Sequence, residues 1–274
     1  MKTFLLSIFL ATFTIFVNAQ TQDSIYQSSD KMNDWGFAIT PYAFLAAQST
    51  DVNGQALRSS FSDLSSITNA GFQIITTVRY KRATLSFDGT FATLVTGAEQ
   101  GPLKIDATIE QRILDFKLGY IIFDNFEFNN SKPIKGWKLE FNIGAKYWAN
   151  NVTIDDQLTL KYPLIGIDTT ISNSTYLPQE WWDMMIGLKT QFILNDKVNL
   201  LVNFDVGGFG IGNSSKFAYN FTYVNNFRVL NWLSVDAGFR SFYYKRTDVD
   251  ETTQSDVNTT VNVLGPLLGV TIIL

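Results

Sequence analysis

Polar and apolar residues alternate with a period of two along most of the chain, and turn-forming residues interrupt the alternation again and again. The pattern predicts strands at 35–47, 70–80, 83–96, 102–122, 137–152, 181–194, 197–211, 216–230, 232–247 and 257–274. Lys81 and Arg82, Asn195 and Asp196, and Asn231 mark tight turns, whereas 48–69, 153–180 and 248–256 are long and polar; 97–101 and 212–215 are shorter. Tight turns at one end and longer loops at the other describe an outer-membrane barrel with its turns on the periplasmic side. The expected fold is therefore all-β, a transmembrane antiparallel up-and-down β-barrel of about ten strands, with twelve or eight as alternatives. Two segments strain this count. The segment 123–136 is either one long periplasmic turn or a missed hairpin, and 153–180 holds a strand pair, 159–165 and 167–172, that is a loop extension or raises the total to twelve.

Alternation alone does not say which face looks outward, because soluble and membrane barrels share it. Glycine decides. In 232–247 the apolar set is Leu233, Val235, Ala237 and Phe239, against Ser234, Asp236, Gly238 and Arg240. In 197–211 Val198, Leu200, Val202, Phe204 and Val206 oppose Asn199, Asn203, Asp205 and Gly207, and in 137–152 Leu139, Phe141, Ile143, Ala145 and Tyr147 oppose Lys138, Glu140, Asn142, Gly144 and Lys146. Gly71, Gly119 and Gly187 share the polar parity too, while Gly89 stands with Phe87 and Phe91. The concave face of a closed sheet is crowded and glycine relieves it. The polar set then faces the lumen, and the apolar set faces out, where lipid is the matching solvent. In 102–122 the apolar set moves from Ile105, Ala107 and Ile109 to Leu114, Phe116, Leu118 and Tyr120, which reads as a bulge near Ile113.

The ends and the tryptophans add to this. Met1 and Lys2 precede a short apolar run at 4–17, and Val17-Asn18-Ala19 offers small residues for cleavage after Ala19. The expected organisation is a signal peptide at 1–19, a flexible periplasmic lead-in at 20–34 and a barrel at 35–274. No Cys follows the cleavage site to carry a lipid anchor, and no later apolar run reaches the roughly 18 residues of a spanning helix. Trp35, Trp137 and Trp232 fall at periplasmic strand ends and Trp148, Trp181 and Trp182 at outer ends, the heights of interfacial girdles. Parity turns Trp148, Trp181 and Trp232 inward.

Composition narrows the chemistry. Among 274 residues there is no Cys and no His, which excludes disulfide scaffolds, Cys/His zinc sites and mechanisms that need a thiolate or an imidazole. A net charge of −4 gives no footprint for nucleic acid. The stretch 207–212, Gly-Gly-Phe-Gly-Ile-Gly, lacks the Lys-Ser/Thr of a phosphate loop and leads into another strand, so it reads as an outer rim or bulge. Asp248, Asp250, Glu251 and Asp256 crowd one outer loop without the spacing of a calcium hand and read as a solvated acidic loop.

WGFAITPY at 35–42, FSDL at 61–64, DVGGFGIG at 205–212, GFRSFYY at 238–244 and GPLLGVTI at 265–272 together resemble a poorly characterised family of Gram-negative outer-membrane β-barrel proteins. The final Gly269–Leu274 stretch looks like the signal read by the barrel assembly machinery, except that it ends in Leu and has Leu267 where a polar residue is usual. The resemblance implies an outer-membrane barrel with lipid, lipopolysaccharide and that machinery as partners, and it brings no catalytic residue and no cofactor. Known outer-membrane enzyme types resemble one another in using His.

The side chains expected in the lumen are Arg79, Asp88, Asp115, Lys117, Lys138, Glu140, Lys146, Asp183, Lys189, Asp205, Lys216, Arg228, Asp236 and Arg240. Mixed signs within single strands point to structural pairing rather than an ion path. The expected role is that of a non-enzymatic structural or interaction barrel with a mostly filled lumen; the alternative is a narrow pore or diffusion channel for small solutes or an apolar ligand.

Overall fold

The computed structural model describes residues 34–100, 103–129, 132–162, 167–249 and 255–274. The leader and nearly all of the lead-in lie outside them. Among the described residues the strands are β1 (Trp35–Phe44), β2 (Ala47–Val52), β3 (Gln55–Ser59), β4 (Thr68–Tyr80), β5 (Ala83–Gln100), β6 (Leu103–Asn129), β7 (Lys132–Tyr162), β8 (Ile167–Leu177), β9 (Glu180–Ile193), β10 (Val198–Gly207), β11 (Phe217–Leu230), β12 (Leu233–Val249) and β13 (Asp256–Ile273), with a helix, α1 (Phe61–Ile67). Ten of them form a closed antiparallel ring in the order β1-β4-β5-β6-β7-β9-β10-β11-β12-β13, sealed by β1 on β13 through Ala38 opposite Ile273 and Tyr42 opposite Gly269. Closure leaves the ring no free edge.

The two faces separate by parity. Phe204, Phe239, Leu118, Phe116, Leu188 and Leu268 are exposed, whereas Asp205, Asp236, Arg240, Asp115 and Glu140 are nearly inaccessible. An outer surface this apolar is stable only against hydrocarbon. Gly89 does face outward, and the rings of Phe87 and Phe91 close over it. Trp148 and Trp181 point inward at 1% and 4% exposure. Trp232 corrects the parity reading: it lies in the turn before β12 and is exposed.

Several strands run well beyond the lipid belt. The ladder of β5 and β6 is unbroken from Ala83 opposite Tyr120 to Gln100 opposite Leu103, so the expected bulge near Ile113 is absent. The apolar set changes face there for another reason. Below Ile113 lipid lies outside and apolar side chains point out; above it water lies outside, the outer face turns to Glu110 and Arg112, and apolar side chains turn in. The phase of the pattern marks the membrane boundary, not a backbone irregularity.

The two doubtful segments resolve without changing the count. β8 pairs only with β7, from Val152 opposite Leu177 to Tyr162 opposite Ile167, so 153–180 is a hairpin extension outside the ring. Around 123–136 the described residues continue β6 and β7 as one antiparallel ladder to Asn129 opposite Lys132, with register shifts between Ile121 and Phe123 and between Glu127 and Phe128. Gly136 has φ +141°, and a Cβ there would lie 2.1 Å from the Asn125 carbonyl oxygen, so only glycine permits this close approach. The expected polar loop 48–69 is instead β2, β3 and α1. β2 continues upward along β13, β3 folds back on it, and Ser60 caps α1. In that cap the Asp63 amide donates to Ser60 Oγ (3.3 Å) while the Ser60 amide donates to the Asp63 carboxylate (2.8 Å).

Candidate functional site

The inner face is occupied at three heights. At the floor, Ile193 of β9 and Ile273 of β13 are buried against each other, and Phe126 from the extended β6–β7 hairpin packs on them. These strands lie four steps apart around the ring, so the contact crosses the bore. The register shifts that bend the hairpin bring Phe126 under the opening.

The middle is polar and cross-linked. Arg240 of β12 reaches across to Asp88 of β5 (2.9 Å) and donates to Tyr42 Oη of β1 (2.6 Å), which itself donates to Asp88 (2.7 Å). Arg240 Nε also donates to Asn220 Oδ1 (3.2 Å), and the Asn220 amide donates to Asp205 (3.0 Å). Lys117 of β6 crosses to Asp205 of β10 (2.6 Å) and stands 3.2 Å from Asp115. Asn203 donates to Asp205 (2.6 Å), and Asn142 donates to Asn203 (3.3 Å). Below this layer Lys189 pairs with Glu140 (2.6 Å), and Thr84 Oγ1 donates to the same carboxylate oxygen (2.8 Å). That bond passes over β6, where a Cβ on Gly119 would come within 2.3 Å of both oxygens, so the glycine is the gap through which the bond is made. On the far wall Asp236 accepts from Asn226 (2.6 Å) and from Thr271.

The top is aromatic. Ile113, Trp148, Trp181, Met185, Ala218, Phe242, Tyr244, Val261 and Val263 form one buried cluster inside the outer end of the ring. Trp148 stacks on Trp181 at 5.9 Å and meets Tyr244 at 5.0 Å and Phe242 at 5.5 Å. Cations bracket it: Lys146 lies 4.8 Å from the Trp148 ring centre and Arg246 lies 4.5 Å from that of Trp181. Asp183 ties the outer turn at 208–216 to this cluster by accepting from the Ser215 amide (2.7 Å), Ser215 Oγ (2.8 Å) and Trp148 Nε1 (2.8 Å). Gly208 and Gly210, with φ of +87° and +66°, give that turn its left-handed course.

Of the charged side chains expected inside, Arg79, Asp115, Lys138, Glu140, Lys146, Asp183, Asp205, Asp236 and Arg240 are buried, and Asp88, Lys117, Lys189 and Arg228 are partly so. Arg79 Nη1 donates to the Lys81 carbonyl at the periplasmic end (3.0 Å). Lys146, fully buried, stands 3.6 Å from Asp115. Lys216 is the exception. β11 begins only at Phe217, and Lys216 is exposed on the outer rim. The inner set then counts six carboxylates and seven cations, close to neutral. Neutral members of the network, Tyr42, Asn203, Asn220 and Asn226, escape a reading based on charge, although their polar parity points inward. Among the described residues no group of three or more His, Cys, Asp or Glu side chains is placed to hold a metal ion.

No protein family's sequence profile matches the chain, and no curated protein does. Among solved structures it is similar to the outer membrane protease OmpT from Escherichia coli, with a TM-score of 0.54 and 8% identity over 90% of this chain and 100% of that one. It also aligns with Neisserial surface protein A (TM-score 0.32, 12% identity, 88% and 97% of the two chains) and with Ail of Yersinia pestis (TM-score 0.29, 11%, 89% and 100%). At such identities the likeness is one of fold, and the fold is that of an outer-membrane β-barrel.

Proposed function

We propose that this protein is a non-conducting outer-membrane barrel with a structural or interaction role at the cell surface, exported with a signal peptide cleaved after Ala19. The supporting observation is the closure of the bore at three heights, by Phe126 with Ile193 and Ile273, by the Arg240–Asp88 and Lys117–Asp205 crossings, and by the Trp148–Trp181–Tyr244 cluster. A solute moving along the axis would have to displace all three. In this reading the inner charges are structural, since Arg240, Lys117 and Lys189 each lie within 2.9 Å of a carboxylate that offsets their removal from water. Lipid, lipopolysaccharide and the barrel assembly machinery are the partners it requires. The surface offered to other partners is the β7–β8 hairpin, where Ile171, Tyr176 and Leu177 are exposed.

We infer a non-enzymatic role from the same interior. Asp183 and Ser215 form the best acid–hydroxyl pair, yet both are fully buried and engaged with Trp148 and Trp181, out of a substrate's reach. The test is purified protein in planar bilayers. The expected record shows no stable conductance beyond brief flickers, and a large steady single-channel current overturns the reading. Membrane-fraction protein with heat-dependent gel mobility is the expected companion result.

A further inference from the structure

We propose that the barrel wall opens sideways between β1 and β4, and that the cavity behind this seam takes a hydrocarbon chain of a surrounding outer-leaflet lipid. The ladder between these strands ends at Pro41 opposite Ile74, although β1 continues on β13 to Phe44 and β4 continues beside β5 up to Thr68. Beyond that point the Phe44 amide is met by a side chain rather than by a strand: it donates to Gln73 Oε1 at 2.6 Å. The wall is therefore unzipped beyond Pro41 and Ile74, with the Phe44 amide satisfied by the Gln73 side chain.

A cavity of about 500 Å³ lies at this gap. Its lining joins both faces of the sheet, which a cavity wholly inside or wholly outside the barrel would not do. Pro41, Phe72 and Phe91 belong to the outward parity; Thr90, Gln111 and Phe242 belong to the inward one. Phe61 and Leu64 of α1 roof it, and no residue of α1 is buried, so its apolar side chains look over unfilled space. The volume is that of an ordinary ligand site, and its polar groups are amides and hydroxyls without charge.

Position selects the occupant. The seam stands at the upper border of the apolar belt, with Ile39 and Ile74 below it. A second cavity of about 380 Å³ shares Gly71, Phe72, Phe91, Ala92 and Gln111 with the first and adds Glu110 and Arg112 on the outward side. An apolar slot inside the wall beside a charged ledge outside it matches one molecule with a hydrocarbon chain and an ionic head. The membrane lipid at that height is such a molecule.

Gly71 supplies the test. It lines both cavities, and a Cβ there meets nothing nearer than 3.8 Å, so Gly71→Phe grows into the slot without disturbing the backbone; Gly71→Ala leaves the slot open. Each form is reconstituted in phosphatidylethanolamine/phosphatidylglycerol vesicles containing a phospholipid with a diazirine in its acyl tail, irradiated, and mapped by mass spectrometry. Expected are adducts on Thr90, Gln111 and Phe242 besides those on the outward belt at Phe116 and Leu118. Gly71→Phe should lower the inner adducts about tenfold, the factor for roughly two methylenes denied burial, with belt adducts and heat-dependent mobility unchanged. Adducts confined to the belt, or inner adducts that persist in Gly71→Phe, overturn the proposal. Inner adducts obtained only with a free diazirine fatty acid added from the aqueous side overturn the lipid as source.

Discussion

The middle and the top of the bore solve one packing problem with opposite chemistry. In the middle, ions fill the space and reach across it: Arg240 to Asp88, Lys117 to Asp205. At the top, rings fill it; cations sit at the borders, Lys146 on Trp148 and Arg246 on Trp181, and the carboxylate there, Asp183, is held by hydrogen bonds from Trp148 and Ser215 rather than by a cross-bore ion. The apolar outside favours insertion into lipid but does so whatever the order of the strands. The interior must specify the ring. Cross-bore ions specify which strands face each other, because an unpaired buried charge is costly in any other arrangement. The rings add packing enthalpy without that selectivity.

Substitutions separate the two contributions. Arg240→Met leaves Asp88 buried without its cation and should cost about 3–5 kcal/mol, measured by urea titration in vesicles with gel mobility as readout. Adding Asp88→Leu to Arg240→Met should recover most of that loss; an additive double variant would show that the ion pair is not the stabilising unit. Trp148→Ala should also cost about 3–5 kcal/mol through the cavity it leaves and the lost bond to Asp183, but no partner substitution should rescue it. Leu118→Lys, on the outward face, should cost about 2–4 kcal/mol if that position lies near the bilayer midplane; a near-neutral result would move the belt. Gly119→Val should cost about 1–3 kcal/mol by overpacking the Thr84–Glu140 crossing.

The smallest effect belongs to α1, outside the lipid. The Ser60 hydroxyl and backbone amide hold the Asp63 carboxylate below its ordinary value of 3.8. A depressed folded value means that the cap contributes fully above pH 3.8 and is lost as pH falls below it toward the folded value. Hydrogen exchange at the Leu64 amide, which donates to the Ser60 carbonyl, should therefore lose protection only in that acid window, once corrected for the intrinsic rate. Asp63→Asn should lower the protection at neutral pH.

Parity made the strands and most inner charges legible, because a period of two assigns every side chain to one face whatever its partners are. Partners were not legible. Which residues meet across a closed ring depends on stagger between distant strands, a quantity no local pattern carries. Ile113 shows a second limit. The rule that apolar means outward holds only where lipid is outside, and the rule inverts where β6 leaves the membrane. The roof over the seam is hidden for a simpler reason: 48–69 is polar enough to read as a loop, and of the capping pair Ser60 and Asp63 only Asp63 falls in the FSDL segment of the resemblance.

The length of β7 sets how far this protein projects. An extended strand rises about 3.3 Å per residue, so the stretch 149–162 beyond Trp148 extends roughly 45 Å along its own axis. Braced by β6 and, behind it, β5 on one side and by β8 on the other, it is a stiff mast rather than a floppy tether. Shortening the mast would therefore draw the exposed side chains of β8, Ile171, Tyr176 and Leu177, toward the lipid without altering the ring beneath.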